Sequence, residues 1–441
     1  MKALTAFLTT LLTTATFAED WPQWLGPDRD GRWSECCVLT EFPEEGPEIL
    51  WRADVGLGYS SPTVADGRVF LSDYLLEEGE ITNNPGSRTP LKGQERVHAF
   101  DLETGELLWT HAYEQPYNLS YPGGPRSTPT YSKGKLYSLG AEGRFVCLDA
   151  ETGDLIWEQD WKEKYSIESP IWGFSMHPLI IGDTLYAVVG GEGSVAVAFD
   201  ANTGEEKWRA LSAAEPGYCP PTMIRAGGVN QLLIWHPSAI NSLNPEDGSV
   251  YWDLPLQPSY GMSIMAPQIE GNLLFASGIG RVGAAIELDQ EKPAAKILWK
   301  AKPKEALFAA NVTPLIVDGI IYGCDIDTSN LTAARLETGE RLWSTTLPTL
   351  GTETPERRAR HGTAFLTHHE SSGLFFIWAE TGHLIIAEMT PEGYREVSRA
   401  HLLEPTNEAF GRPVVWTAPA FAQESAFLRN DAELIRVNLA K

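Results

Sequence analysis

The stretch DLETGELLWTHA, residues 101–112, decides the fold, because the chain repeats it with variations. It contains an apolar strand that ends in Asp101, a short turn with Thr-Gly, and a second strand that carries Trp109. An Asp side chain hydrogen-bonds the local backbone, and Gly tolerates a positive φ. The stretch therefore predicts a β-hairpin.

Further copies of this hairpin follow along the chain. They are FVCLDAETGDLIW (145–157), AVAFDANTGEEKW (196–208), INSLNPEDGSVYW (240–252), LTAARLETGERLW (331–343) and a looser AAIELDQEKPAAKILW (284–299). Tryptophans close the copies, with one more at the front of the chain: Trp51, Trp109, Trp157, Trp208, Trp252, Trp299 and Trp343. The turn glycines are Gly105, Gly153, Gly204, Gly248 and Gly339. Recurrence at about 44 to 58 residues indicates a repeat architecture, and we interpret the Trp and Gly positions as structural.

A second hairpin precedes each copy, for example HPLIIGDTLYAVVG at 177–190. Two hairpins make a four-stranded antiparallel blade, and a radial arrangement covers both of its apolar faces. The fold class is therefore all-β, an eight-bladed β-propeller over residues 48–441. The eighth blade requires EILWRADVG (48–56) to pair with the C-terminal strands at 418–440. Seven blades is the alternative, because the seventh repeat, at 361–403, lacks a closing Trp.

The first 18 residues, MKALTAFLTTLLTTATFA, have the pattern of a secretory signal peptide that is cleaved after Ala18. No Cys stands at a lipoprotein-like position after it, and residues 19–47 form an N-terminal leader to the propeller. We expect a protein that is periplasmic or secreted, with no transmembrane segment.

The chain has 34 Lys and Arg against 59 Asp and Glu, a formal charge of −25. This charge disfavours nucleic acid and anionic membrane surfaces as partners. We expect a monomer that binds an unknown protein or small-molecule ligand. Cys147, Cys219 and Cys324 stand alone and are expected to be buried, while the adjacent Cys36 and Cys37 leave a vicinal disulfide open.

Chemistry in a propeller is expected at the loops that enter the innermost strands, where Pro recurs at 62, 129, 178, 221, 267, 314 and 419. The residues just before these prolines form an aromatic set with a few polar groups, which is typical of a concave binding site. The candidates are Tyr59, Arg126, Trp172, His177, Tyr218, Tyr260, Met262, Met265, Asn311, Arg360, His361 and Trp416. Equally, these side chains could simply fill the channel.

Two pairs among these candidates suggest more specific chemistry. Arg126 and Arg360 could clamp a carboxylate from one rim. His177 and His361 could ligate a metal, but no third ligand occupies an equivalent repeat position, so no metal site is predicted. No catalytic residue is assigned, because the chain has no phosphate-binding loop, nucleophile elbow or HExxH motif.

The Asp, Thr-Gly and Trp repeat resembles that of the pyrroloquinoline-quinone (PQQ) type propellers, which include quinoprotein alcohol dehydrogenases and the outer-membrane assembly factor BamB. More narrowly, four stretches resemble exported PQQ-like repeat proteins of planctomycete-type bacteria. They are DWPQWLGPDRDG (20–31), GGPRSTPT (123–130), WGFSMHPLI (172–180) and GRPVVWTAPAFA (411–422).

The resemblance to quinoprotein dehydrogenases implies a quinone above a calcium ion, a stacking Trp and an adjacent Cys pair. Cys36-Cys37 lies ahead of the first blade, and the remaining candidates, Trp172, Asn311 and Asp325, are scattered. We therefore expect a non-catalytic binding or scaffolding propeller without a cofactor. The alternative is a PQQ- and calcium-dependent alcohol dehydrogenase-type oxidoreductase.

Overall fold

A computed structural model describes residues 19–355 and 359–441 and shows eight four-stranded antiparallel blades. The signal-peptide prediction falls on residues 1–18 and lies outside the described residues. Neighbouring blades touch through their first strands, which surround a central channel. The eight-bladed prediction is confirmed, and the seven-bladed alternative is wrong.

The strands of each blade are given from the channel outward. Blade 1 has Thr63–Ala65, Arg68–Glu78, Thr89–Asp101 and Leu107–Glu114; blade 2 has Thr130–Ser132, Lys135–Leu139, Arg144–Asp149 and Leu155–Asp160. Blade 3 has Leu179–Ile181, Thr184–Val188, Ala196–Asp200 and Glu206–Ala210; blade 4 has Thr222–Ala226, Val229–His236, Ala239–Leu243 and Val250–Pro255.

Blade 5 has Gln268–Glu270, Leu273–Gly278, Val282–Leu288 and Ala295–Lys300; blade 6 has Leu315–Val317, Ile320–Asp325, Asn330–Arg335 and Arg341–Thr345. Blade 7 has Ala364–His369, Leu374–Ala379, His383–Thr390 and Gly393–His401; blade 8 has Ala420–Ala422, Ser425–Arg429, Glu433–Asn438 and Ile49–Asp54. Short strands outside this pattern are Arg32–Trp33, Tyr117–Leu119, Asn407–Ala409 and Arg412–Val414. The helical segments are Trp161–Tyr165, Ser259–Gly261 and Leu347–Leu350.

The repeated hairpin turn is an Asp-centred turn, as predicted. In blade 1 the Asp101 carboxylate accepts hydrogen bonds from the backbone N–H of Glu103 and Thr104 and from the Thr104 hydroxyl. Gly105 follows with φ +72°. The turn reverses the chain, and its glycine, which has no side chain, faces the preceding blade.

The closing tryptophans join each blade to the next. The Trp51 ring of blade 8 lies on Gly105 of blade 1, where an added Cβ would stand 2.6 Å from Cδ2. The Trp51 indole N–H donates to the Leu102 carbonyl at 2.9 Å. The same indole-to-carbonyl bond reaches the next blade from Trp109, Trp157, Trp208, Trp299 and Trp343. At these six interfaces, one blade supplies the Trp and the next blade supplies the turn.

Two copies depart from this pattern. Blade 5 has the longer turn, and the Trp252 indole N–H of blade 4 donates to Gln231 Oε1 within its own blade. In blade 7, Ser398 occupies the register position of the closing Trp. The Ser398 hydroxyl accepts a hydrogen bond from the Phe42 N–H, and the buried Phe42 ring joins the core between blades 7 and 8. A leader side chain therefore covers the face that a tryptophan covers elsewhere.

The two ends of the propeller pair in blade 8. Ile49–Asp54 runs antiparallel to Glu433–Asn438, with Trp51 opposite Arg436. This outer strand carries Trp51, which contacts blade 1. The N-terminal strand therefore both completes the last blade and joins it to the first, as the sequence predicted.

The leader fills one end of the channel. Trp21 and Val64 of blade 1 exchange backbone hydrogen bonds. The Arg29 guanidinium donates to the carbonyls of His177 and Pro178 in blade 3. Farther on, Arg32–Trp33 pairs in parallel with the first strand of blade 7. The leader crosses the channel from one side of the ring to the other and closes that end.

Among the described residues, the five cysteines form no disulfide bond. Cys147, Cys219 and Cys324 are buried, as the sequence predicted. Cys36 and Cys37 lie in the leader, with their sulfur atoms 3.0 Å apart. In the described part of the chain, no helix has the length and apolar character needed to cross a membrane.

The contact between tryptophan and glycine can be tested with two glycines of nearly the same backbone conformation. Gly105 (φ +72°) lies under Trp51, while Gly67 (φ +71°) has no atom within 4 Å of an added Cβ. Ala at either position costs about 1–2 kcal/mol for its left-handed backbone. Gly105→Ala should cost about 1–3 kcal/mol more, because its methyl group displaces the ring. Urea unfolding of both variants checks this, and equal losses would contradict it.

Candidate functional site

The fourth residue before each innermost strand occupies an equivalent position around the ring. In blade order these residues are Tyr59, Arg126, Ser175, Tyr218, Ile264, Asn311, Arg360 and Trp416. The Pro positions of the sequence fall one residue before the strand in every blade except blade 7, which has Thr363. Because the strands surround one channel, the side chains at this position converge on its entrance in seven blades, and Arg360 of blade 7 is the exception.

A cavity of about 600 Å³, here called the mouth cavity, opens at this entrance. Its walls are mainly aromatic and aliphatic. It is lined by Tyr59, Pro85, Gly86, Tyr121, Arg126, Ile171, Trp172, Ser175, Tyr218, Tyr260, Met262, Ile264, Ile279, Asn311, His361, Phe410 and Trp416. This size and lining are typical of small-molecule and peptide sites.

Two segments outside the repeat form one wall of the mouth cavity. The first is the connection 79–88 in blade 1, and the second is the hairpin of Asn407–Ala409 and Arg412–Val414 between blades 7 and 8. Asn83 Nδ2 joins them by donating to Asn407 Oδ1 at 2.8 Å and to the Glu408 carbonyl at 2.7 Å. The wall is therefore a single hydrogen-bonded structure.

A buried ion pair fixes this hairpin to blade 7. The Arg412 guanidinium donates to both carboxylate oxygens of Glu380, and the Trp416 indole N–H donates to Oε2 at 3.0 Å. Burial raises the pKa of Glu380 above its usual value, although the bonds from Arg412 and Trp416 oppose the shift. Arg412 also donates to the His361 carbonyl. These bonds hold Trp416 and His361 in the cavity wall.

Four lining residues have a left-handed backbone: Tyr121 (φ 48°), Tyr260 (φ 60°), His361 (φ 57°) and Phe410 (φ 51°). This conformation is rare and unfavourable for bulky side chains, and such strain concentrates at functional sites. The Tyr260 side chain is 78% exposed at the rim. The Phe410 ring stacks on His361, with centroids 4.3 Å apart. The strained backbone thus points aromatic groups at the entrance.

A narrower ring of side chains, here called the neck, lies below the mouth cavity. The neck comprises the residues that also line a lower chamber of about 170 Å³, namely Tyr59, Arg126, Ser175, Tyr218, Ile264, Asn311 and Trp416. Trp24 and Leu25 of the leader line this lower chamber as well. The channel therefore has one open end.

Arg126 is held in place within the neck. Its guanidinium donates to the carbonyls of Ser120, Tyr121 and Gly124, and it lies 5.3 Å from the Tyr59 ring centroid. Arg126 makes no salt bridge with the described residues. Its positive charge is therefore uncompensated by a nearby carboxylate there.

The electrostatics of the mouth cavity follow from burial. No Asp or Glu is among its described lining residues. Burial, together with the charges of Arg412 and Arg360, lowers the pKa of His361 to about 4, so the imidazole is neutral near pH 7. Burial raises the pKa of the Tyr59 and Tyr218 hydroxyls, which stay protonated. Arg126 is the charged lining group at neutral pH.

Apart from Met262 and Met265, ten residues are predicted at the mouth, and the structure brings eight of them together around this cavity. They are Tyr59, Arg126, Trp172, Tyr218, Tyr260, Asn311, His361 and Trp416. Their role in binding stays a prediction. Met262 also lines the cavity, while Met265 is buried in the core of blades 4 to 6.

The other two candidates lie elsewhere. His177 lines the lower chamber, where its ring stacks on Trp24 at 4.5 Å and its Nδ1 accepts from the Thr128 N–H. Arg360 is exposed and is not among the lining residues. The two arginines therefore do not share the lining of the cavity, and any carboxylate clamp there involves Arg126 without Arg360.

Sequence analysis missed part of the site. Ser175 and Ile264 occupy the fourth position before their strands, so alignment of the strand entries could have found them. Tyr121 and Phe410 lie in segments outside the repeat, where no pattern indicated that they reach the channel.

The residues present do not fit a quinone above a calcium ion. The described residues contain no group of three or more His, Cys, Asp or Glu that could hold a metal ion. Asp325 is outside the lining and pairs with Arg341 at 3.0 Å. Cys37 lies beside the last residues of the chain, because its backbone carbonyl accepts a hydrogen bond from the Lys441 N–H. We therefore derive no chemical step through a quinone.

The fold and the repeated tryptophan contacts define a PQQ-like β-propeller. The family model described as "Outer membrane protein assembly factor BamB" matches residues 93–345 and 236–434, and the chain belongs to this family. A tetrathionate hydrolase of Acidithiobacillus ferrooxidans is 31% identical over 100 residues, which are 23% of this chain and 17% of that protein. The chain thus matches less than a fifth of that relative's length.

Solved structures share the fold. BamB from Moraxella catarrhalis superposes with a TM-score of 0.53 at 16% identity, covering 83% of this chain and 96% of that one. A europium-containing methanol dehydrogenase superposes with a TM-score of 0.62 at 11% identity, covering 91% of this chain and 87% of that one. Quinohemoprotein alcohol dehydrogenase from Comamonas testosteroni gives 0.60 at 14% identity, covering 96% and 80%. These identities establish shared architecture alone.

The neutral state of His361 can be measured directly. With a pKa lowered to about 4, its imidazole should stay uncharged between pH 7 and pH 5.5. NMR titration of the imidazole carbon-bound protons, assigned by comparison with His361→Gln, should show no charge transition in that interval. A transition near pH 6.5 would show that the ring is solvated and would contradict the described packing with Phe410.

Proposed function

We propose that this protein is an exported, non-catalytic β-propeller that binds a protein or small-molecule partner in its mouth cavity. The observation that carries the proposal is the aromatic cavity of about 600 Å³ at the entrance of a channel whose other end the leader closes. A ligand must then enter and leave by the same opening. Such a cavity suits retention of a partner.

The strained rim supports this proposal. Left-handed backbone at Tyr260 and Phe410 costs free energy that packing elsewhere must offset. Both side chains are large, apolar and exposed, Tyr260 by 78% and Phe410 by 45%. Exposed aromatic side chains around a concave site provide contact area at low cost in conformational entropy.

Export and the kind of partner follow from the sequence. The signal-peptide pattern at 1–18 supports a periplasmic or secreted location, and the −25 charge disfavours nucleic acid. We propose a monomer, since a propeller closed by its own termini leaves no blade to complete.

Photo-cross-linking in native cells tests the binding role. With p-benzoylphenylalanine in place of Tyr260, the protein should form a discrete adduct, because this rim position is exposed beside the cavity. Leu155 on the outer strand of blade 2 is 45% exposed and provides the matched control position. Mass spectrometry of the adducts should identify a partner linked from 260 and absent from 155. Equal labelling from both positions, or none from 260, would contradict the proposal.

The oxidoreductase alternative has its own test. Protein isolated from native cells is analysed by absorbance and mass spectrometry for quinone and calcium, and is then assayed for dye-linked alcohol oxidation. We expect no turnover after reconstitution with PQQ and calcium. Saturable turnover that chelation abolishes would establish the enzyme and overturn the non-catalytic role.

A further inference from the structure

Several polar groups of the neck have a hydrogen-bond donor without an acceptor. Asn311 Nδ2 and the hydroxyls of Tyr59 and Tyr218 have no hydrogen-bond partner of good geometry among the described residues. The Asn407 side chain lies near the Tyr59 hydroxyl and the Trp172 backbone near the Tyr218 hydroxyl, and both lower the pKa of their tyrosine, as hydrogen-bond donors do. Tyr218 is 4% exposed. A buried polar group without a partner destabilises the folded protein, and a ligand that accepts its hydrogen bond relieves this cost.

Arg126 adds a positive charge to these donors. Bonds to three backbone carbonyls fix the guanidinium and leave two of its five N–H groups for a ligand. No Asp or Glu is among the described lining residues, and no described carboxylate forms a salt bridge with Arg126. Glu215 acts on the neck from outside the lining, because its charge raises the pKa of Tyr218. The charge of Asp431 raises the pKa of Tyr59, but this carboxylate accepts a hydrogen bond from the Gly58 N–H and lies 3.9 Å from the buried Arg429 guanidinium.

We infer that the neck binds a single carboxylate, carried by an apolar or aromatic body that occupies the mouth cavity. Arg126 supplies the charge, and Asn311 and Tyr218 supply the neutral donors. This inference rests on the proposed binding function and names the class of its ligand.

The arrangement favours a monoanion over other ligands. A phosphate would bring up to two negative charges to a site with one cation, whereas a carboxylate matches the charge and planar donors of a guanidinium. A neutral ligand would leave Arg126 uncompensated in a partly buried position. Above the neck, Trp172 packs against Tyr218 at 5.7 Å and Phe410 lies 6.3 Å from Trp416, so the walls accept a flat or branched apolar group.

A free carboxylate on an apolar body has two sources, the C-terminus of a polypeptide and a small organic acid. Calorimetric titration of the full-length mature protein with matched probes separates them. The peptide probes are acetyl-Ala-Ala-Phe and its C-terminal amide, and the small probes are 3-phenylpropanoate and its amide. Within each pair the body of the probe is the same, while the amide is neutral and carries an NH2 donor in place of one acceptor oxygen.

We expect at least one acid to bind about tenfold or more tightly than its amide, because hydrogen bonds to a charged group are worth about 1.5–3 kcal/mol each. Binding of the peptide acid alone indicates a polypeptide C-terminus, and binding of both acids indicates a small-molecule source. Equal affinity for acid and amide, or no binding of any probe, overturns the inference. Neither result removes the adduct expected from Tyr260, so the proposed function is judged separately.

Asn311→Asp provides the decisive variant, because it keeps the side-chain size and places a negative charge in the neck. This variant should bind the acid probe about tenfold or more weakly, and its affinity for the amide probe should change by less than about threefold. Arg209→Gln, an equal change in net charge at a 56% exposed side chain on blade 3, should change neither. If Asn311→Asp fails to fold, Tyr218→Phe takes its place, because it removes one buried hydroxyl from the neck. Its affinity for the acid probe should fall by about threefold or more, while its affinity for the amide stays the same. Equal losses for acid and amide in the folded variant would contradict the assignment.

Discussion

The contact between a tryptophan ring and the turn glycine of the next blade is the constraint on which the rest of the structure depends. A four-stranded blade leaves apolar faces that it cannot cover alone. The ring of Trp51 and its indole N–H join the last blade to the first, as Trp109 and Trp157 join their own neighbours. A side chain larger than hydrogen at Gly105 would occupy the space of that ring.

The binding site follows from this closure. Once eight equivalent strands surround a channel, one sequence position lies at the entrance in every blade except blade 7. That position carries no closing or turn function, so its residue is free to differ from blade to blade. At this position the neck has Arg126 and Asn311 in two blades and aromatic side chains in others. Departures from the repeat, at 79–88 and at the hairpin that ends in Val414, then give the cavity its walls.

The sequence predicts the repeated elements because their causes are local. The Asp-centred turn, the closing Trp and the Pro at strand entry each act within a few residues, and they sufficed for eight blades and the pairing of the termini. The leader could not be predicted in this way. Phe42 contacts Ser398, which is 356 residues away in the sequence. Trp24 stacks on His177, and no repeated sequence pattern indicates this contact. His177 was expected at the mouth, but the leader that packs on it fills the lower part of the channel.

The central claim is that the mouth cavity holds the ligand. A crystal structure of the protein isolated from its native cells tests this claim most directly. We predict electron density for a non-protein or partner molecule beside Trp172 and Trp416, with an oxygen pair within hydrogen-bond distance of Arg126 and Asn311 Nδ2. A bound molecule on the outer faces of the blades, with only water in the mouth cavity, would contradict the account.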